Sequence, residues 1–142
     1  MEREGRSNLL AKLQLQADGS AAPRPTVFVV DDEEMVRTVA AEILRHLGYD
    51  VEMASSGEQA VAHIKSGARP DCILLDIVMP GIGGAEALRQ IHAIAPDIRI
   101  VVSSGFTDRL SAESLTGEGA AAFIGKPYRI EALGSRLREI LG

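Results

Sequence analysis

The chain has 142 residues, enough for one domain with a real core, and its 46% hydrophobic and 25% charged residues are those of an ordinary globular protein. A net charge of -5 argues against direct binding to nucleic acid or to an anionic membrane, both of which demand a basic surface. The single cysteine, Cys72, permits neither a disulfide framework nor a cysteine metal site, and with no hydrophobic membrane span or signal peptide a cytoplasmic location is expected.

Residues 1–25 read as an N-terminal arm or linker. Leu9, Leu10, Leu13 and Ala17 have partial helical spacing, which Asp18-Gly19-Ser20 and Pro23-Arg24-Pro25 then break. Either a loosely ordered terminus or a contact helix for a partner fits this pattern. The domain proper is expected over residues 26–142. Thr26-Val30 is a short β-branched run that ends in Asp31-Asp32, and Met35, Val36, Val39, Ala40, Ile43, Leu44 and Leu47 follow at helical spacing before Gly48. Val51-Ala54 reads as a second strand. Ser55-Ser56-Gly57-Glu58 fits a capping box that opens a helix through Ala60, Val61 and Ile64. Cys72-Leu75 is a third strand ending in Asp76, and a loop from Ile77 to Gly83 leads to a helix with Leu88, Ile91 and Ile94. Ile98-Val102 ends in Ser103-Ser104. The stretch Thr107-Thr116 is weakly helical, with Ser and Thr inside it and Gly117 directly after it, where a firm helix does not want them. Ala120-Ile124 ends at Lys126-Pro127, and Glu131-Leu141 closes with a helix bearing Leu133, Leu137, Ile140 and Leu141.

Five strands alternating with five helices predict a parallel sheet covered on both faces, an α/β (βα)5 three-layer sandwich. Runs such as Val27-Val30 and Cys72-Leu75 are apolar at every position, as strands buried on both faces should be. The flavodoxin-like strand order 2-1-3-4-5 suits this alternation, although the alternation alone does not dictate it. In such sheets ligands bind beyond the carboxyl ends of the strands. Here those ends carry Asp31-Asp32, Asp76, Ser103-Ser104 and Lys126.

Carboxylates within a few ångströms of one another repel by roughly 4 kcal/mol per pair at an effective dielectric near 20. They must take up protons or hold a cation. With only oxygen donors the fitting cation is hard, Mg2+ or Mn2+ in its place, and its vacant positions invite a phosphate. Lys126 supplies a compact positive charge for the same anion and a serine hydroxyl supplies a donor. A carboxylate nucleophile with these neighbours is suited to forming an aspartyl phosphate. Singly, each feature has a plainer explanation: a strand-end Asp as turn former, Asp31-Asp32-Glu33-Glu34 as the acidic first turn of a helix, Lys126-Pro127 as loop chemistry. Their joint placement at matched strand ends is what points to a site.

Four segments, Phe28-Val-Val-Asp-Asp-Glu33, Pro70-Asp-Cys-Ile-Leu-Leu-Asp-Ile-Val-Met-Pro-Gly81, Val101-Val-Ser-Ser-Gly105 and Phe123-Ile-Gly-Lys-Pro-Tyr128, resemble the response-regulator receiver family in order and approximate spacing. The resemblance covers about Thr26 to Leu141. It implies that Asp76 is the phosphorylated nucleophile and that Asp32 ligates the metal directly, with Asp31 acting more through water. The backbone carbonyl of Val78 would complete the protein's share of the shell. By the same resemblance Ser104 is the switch hydroxyl, Ser103 lies one position too early, Lys126 binds the phosphoryl group, Lys126-Pro127 is a cis bond and Phe123 is the switch aromatic. The donor would be a histidine kinase or a histidine phosphotransfer protein, the signalling surface would be helix 4, strand 5 and helix 5, and a homodimer through helices 4 and 5 is a family habit. Two apolar residues, Val78 and Phe106, stand where relatives tune hydrolysis, which implies a slowly decaying phospho-form. His46, His63 and His92 lie away from the strand ends and read as surface or packing residues. No ATP-binding glycine motif is present, so the chain is expected to receive phosphate rather than take it from ATP. No output segment is expected after the last helix, which leaves a free-standing regulator and a hybrid-kinase receiver both open. The rival from another class is a receiver-like interaction module that is not phosphorylated. A flavin binder is disfavoured by the acidic loop after strand one, and an aspartyl phosphatase by Val78 where a second acid is wanted.

Overall fold

A computed structural model describes residues 24–105 and 109–142. In chain order the elements are β1 Thr26–Val30, α1 Glu34–His46, β2 Asp50–Ala54, α2 Gly57–Lys65, β3 Cys72–Asp76, α3 Gly83–Ile94, β4 Arg99–Ser104, α4 Arg109–Ser114, β5 Ala120–Gly125 and α5 Ile130–Leu141. A single 3-10 turn, Leu115–Glu118, joins α4 to β5. The sheet runs β2-β1-β3-β4-β5 with every pair parallel, which is the expected 2-1-3-4-5 order. Residues 1–23 of the arm, Phe106 and the first two residues of the expected fourth helix lie outside the described residues.

Successive residues of a strand face opposite sides of a sheet, and both sides are covered here. Phe28, Val30, Ile73, Leu75, Ile100 and Val102 point toward α2, α3 and α4, where they meet Val61, Ile64, Leu88 and Ile91. Val27, Val29, Cys72, Leu74 and Val101 point the other way, toward Ala40 and Leu44 of α1 and Leu133 and Leu137 of α5. The unbroken apolar runs of β1 and β3 are thus two interleaved core faces, not one.

Two expectations shift in detail. The N-cap of α2 is Ser56, whose Oγ accepts the Gln59 N–H at 3.1 Å, while Gln59 reaches back to the Ser55 N–H at 2.9 Å. The capping pair is therefore Ser56 with Gln59, one residue later than the Ser55–Glu58 box, and Glu58 is left to do something else. β4 extends two residues beyond Val102, because Ser103 and Ser104 continue the ladder opposite Asp76 and Gly125. The described part of the weak fourth helix is six residues long and is held by buried Ala112 and by Leu115 just beyond it, as its two serines would suggest.

The register brings the chemistry together. Val30 pairs with Leu75, so Asp31 follows β1 at the level of Asp76, and Ser104 pairs with Gly125, so Lys126 follows β5 at that same rim. One close approach makes this possible. A Cβ on Gly84 would overlap the carbonyl oxygen of Asp76 and lie 2.5 Å from the Ile77 Cα, so α3 can pack behind the Asp76 loop only through a bare glycine. Gly84→Ala should therefore lower the stability by about 2–3 kcal/mol, the scale of overpacking a tight interior. Gly117→Ala, where an added Cβ meets nothing within 4 Å, should change it little. Urea unfolding of the two variants makes the comparison, and equal midpoints would contradict it.

Candidate functional site

Asp31 and Asp76 are buried at 0% and 3% exposure, whereas Asp32 is exposed. Oxygen atoms from these three carboxylates lie within 4.8 Å of one another. Lys126 bridges the two buried members, with Nζ 2.9 Å from Asp31 Oδ2 and 3.2 Å from Asp76 Oδ1. Asp31 Oδ1 accepts the Glu33 N–H at 3.0 Å, and its backbone carbonyl accepts from Arg37 at 2.7 Å. The Val78 N–H donates to Asp76 Oδ1 at 3.2 Å, and the Val78 side chain is 61% exposed. Both donors to Asp76 thus address Oδ1, and Oδ2 has no protein donor among the described residues.

The charges do not balance: three carboxylates face one ammonium. Burial, and next the Asp31 carboxylate, push the Asp76 carboxyl up from 3.8 to about 6, against the opposing pull of Lys126. Burial works against the Lys126 ammonium, but its bonds to Asp31 and Asp76 outweigh that and hold it above the ordinary lysine range. Such an all-oxygen donor set, part buried and part open, fits a hard divalent cation and offers nothing to a soft one.

Two serines at the end of β4 separate by face. Ser103 is fully buried. Ser104 lines a cavity of about 400 Å³ together with Phe123, Lys126 and Arg136. Its carbonyl accepts the Lys126 N–H at 2.9 Å, which fixes the lysine's backbone to the strand end. Phe123 is partly buried against the core on the α3–α4 side of the sheet. The Lys126-Pro127 bond is cis. Of the three histidines, His46 is exposed at the end of α1, His63 pairs with Glu52 at 2.8 Å and tilts against Phe28, and His92 packs against Gly119. None reaches the rim. Arg37 carries no signal in the sequence, and Tyr128 appears there only as the end of the Phe123–Tyr128 segment. Arg37 sits one turn into α1, where a charged residue on an amphipathic helix carries no special signal. Tyr128 is pushed up to about 12 by burial.

A carboxyl whose proton is held more tightly in the folded chain than in the unfolded one costs stability once it ionises. For Asp76 that cost is absent below pH about 4, grows as the pH rises toward 6 and is complete above it. In chelator-treated protein Asp76→Asn should therefore be more stable than wild type at pH 8, by at most about 3 kcal/mol, and the gain should shrink toward pH 4. Urea unfolding at the two pH values checks this; a variant less stable than wild type at pH 8 would contradict it.

Residues 27–138 match the family described as the response regulator receiver domain. The chain is 32% identical over 117 residues to sensor kinase CckA of Brucella abortus, covering 82% of this chain and 12% of the kinase. It is 37% identical over 117 residues to response regulator MprA of Mycolicibacterium vanbaalenii, covering 81% of this chain and 49% of that protein. Among solved structures, a CheY-like receiver domain protein from Methanospirillum hungatei superposes with a TM-score of 0.76 at 26% identity, over 82% of this chain and 93% of that one. NtrX from Brucella abortus superposes with a TM-score of 0.78 at 30% identity, over 84% of this chain and 27% of that one. The chain spans about half the length of the matched regulator and about an eighth of the kinase. Phosphorylation at an Asp, Mg2+ dependence and interaction with histidine kinases are general properties of this family, and the chain belongs to it: it is a response regulator receiver domain of two-component signalling.

Proposed function

We propose that this receiver is a competent phospho-acceptor switch in which Asp76 takes a phosphoryl group from a phosphohistidine. The observation that carries the proposal is the convergence of three carboxylates and the Lys126 ammonium at the sheet's carboxyl rim. A degenerate receiver that only binds partners has no need to keep such a costly arrangement.

In this reading an oxygen of Asp76 attacks phosphorus. The new O–P bond forms as the P–N bond to the donor imidazole breaks, and the bonding pair leaves with the imidazole nitrogen. Oδ2, which has no protein donor among the described residues, leaves Asp76 with an oxygen available for bonding. Asp31, Asp32, Asp76 and the Val78 carbonyl would hold Mg2+, or Mn2+ in its place. When bound, that ion supplies the positive charge that lets a carboxylate meet an anionic phosphoryl group. Lys126 loses its partner charge on Asp76 once that carboxylate is esterified, and its ammonium turns to the phosphoryl oxygens. Ser104 offers its hydroxyl from the cavity side. Drawing Ser104 toward the phosphoryl group makes room for Phe123 to repack in the adjoining cavity, which alters the α4–β5–α5 face. Phe123 has no hydroxyl, so the change is one of packing alone.

The donor in this reading is a histidine kinase or a histidine phosphotransfer protein, and α4 and α5 provide the surface for a homodimer. The matched kinase and the matched regulator represent the two settings in which the domain would work, and in either it would be cytoplasmic. Direct contact with nucleic acid or membrane is not part of the proposal, in keeping with the net charge of -5. Among the described residues no helix is long and apolar enough to cross a membrane.

Intact mass after incubation with acetyl phosphate and Mg2+ tests the reading. Wild type should gain one phosphoryl group, and Asp76→Ala or chelated protein should gain none. With apolar Val78 two residues past Asp76, the adduct should outlast a time course of minutes, and Val78→Asn should shorten it. Absence of any adduct under rapid quenching would point instead to a non-phosphorylated interaction module.

A further inference from the structure

Glu58 stands in the first turn of α2, outside the rim, and the shifted capping pair leaves its carboxylate unused by its own helix. It reaches instead across 24 residues of sequence to the loop between β3 and α3, where Oε2 accepts the Ile82 N–H at 3.2 Å. The same carboxylate lies flat on Gly81: a Cβ there would come within 2.8 Å of Glu58 Oε1, and Gly81 has a φ of +80°. The preceding residue strengthens the grip. A Cβ on Gly57 would lie 2.9 Å from Ile82 Cγ1 and 3.1 Å from the Gly83 carbonyl oxygen, so the helix start is pressed against the loop's far end. The near end of that loop carries the Val78 N–H, bonded to Asp76 Oδ1, and the Ile77 N–H, bonded to the Ser103 carbonyl at 3.0 Å. The loop is thus anchored at one end by the strand ladder and at the other by Glu58.

We propose that Glu58 is a positioning residue for the phosphoryl and metal site. It holds Gly81 and Ile82 so that the backbone of Val78 stays directed at Asp76. The inference rests on the phospho-acceptor reading for its meaning, but not for its test. A carboxylate at a helix start also favours the helix dipole, and substitution by glutamine separates the two roles: Glu58→Gln loses the charge and keeps the acceptor oxygen, whereas Glu58→Ala loses both.

Amide hydrogen exchange of the full chain, read at Val78 and Ile82, gives the direct measurement, with Mg2+ affinity by calorimetry beside it. Glu58→Ala should speed exchange at both amides and weaken Mg2+ binding by about tenfold, the scale seen when residues that orient metal ligands are removed. Glu58→Gln should restore both. Wild-type exchange at Val78 in Glu58→Ala, or a Gln variant as impaired as Ala, would overturn the proposal. If wild type itself takes up no phosphoryl group, the functional reading fails, and the Val78 exchange comparison still decides the role of Glu58.

Discussion

Electrostatic repulsion among carboxylates that the backbone will not let separate is the constraint on which this domain turns. Asp31 and Asp76 are buried within the same few ångströms, with Asp32 beside them, and one lysine bridges the two buried carboxylates. At an effective dielectric of about 20 each contact between like charges costs roughly as much as a lysine contact returns. The raised pKa of Asp76 records which side prevails: burial and Asp31 outweigh Lys126. A site in this condition favours any cation that can enter and responds to any change in the charge on Asp76. Those are the two properties a phosphorylation switch requires.

What prevents relaxation is the sheet. Parallel pairing places residues following β1 and β5 at the level of the last residue of β3, and core side chains on both faces fix that register. A slip of one residue would turn every buried side chain of a strand to the wrong face. Behind Asp76 the loop is held by the bare Cα of Gly84 and by the contacts of Gly57 and Glu58. Rigidity is thus concentrated at Asp76. The segment after β4 is different: α4 has six residues, and its continuation into β5 is a single 3-10 turn. In the proposed switch, a charge change at the stiff rim would be felt in this less tightly held segment.

The fold was legible because its signals are strong and mutually consistent. Apolar runs in β1 and β3, glycine after α1 and acidic residues at strand ends all point the same way. The residues of the rim were legible for the same reason: Asp31, Asp32, Asp76, Ser104 and Lys126 each follow or end a strand. Glu58 was not. Its sequence neighbourhood, Ser55-Ser56-Gly57-Glu58, satisfies a local capping pattern, and a local pattern one residue out of register hides a contact to Ile82 that only the tertiary structure creates. Arg37 was invisible for a related reason, since its bond to the Asp31 carbonyl depends on how α1 leaves β1. Strand alternation sends Ser103 and Ser104 to opposite faces, Ser104 into the cavity beside Phe123.

If these carboxylates form a cation site through their shared burden of negative charge, removing one of them should weaken it. Calorimetric titration of Mg2+ into wild type and Asp32→Asn at pH 8 tests it most directly. Wild type should bind one ion, and binding should be abolished or severely weakened in the variant. Absence of binding to wild type, or equal affinity in both, would contradict it.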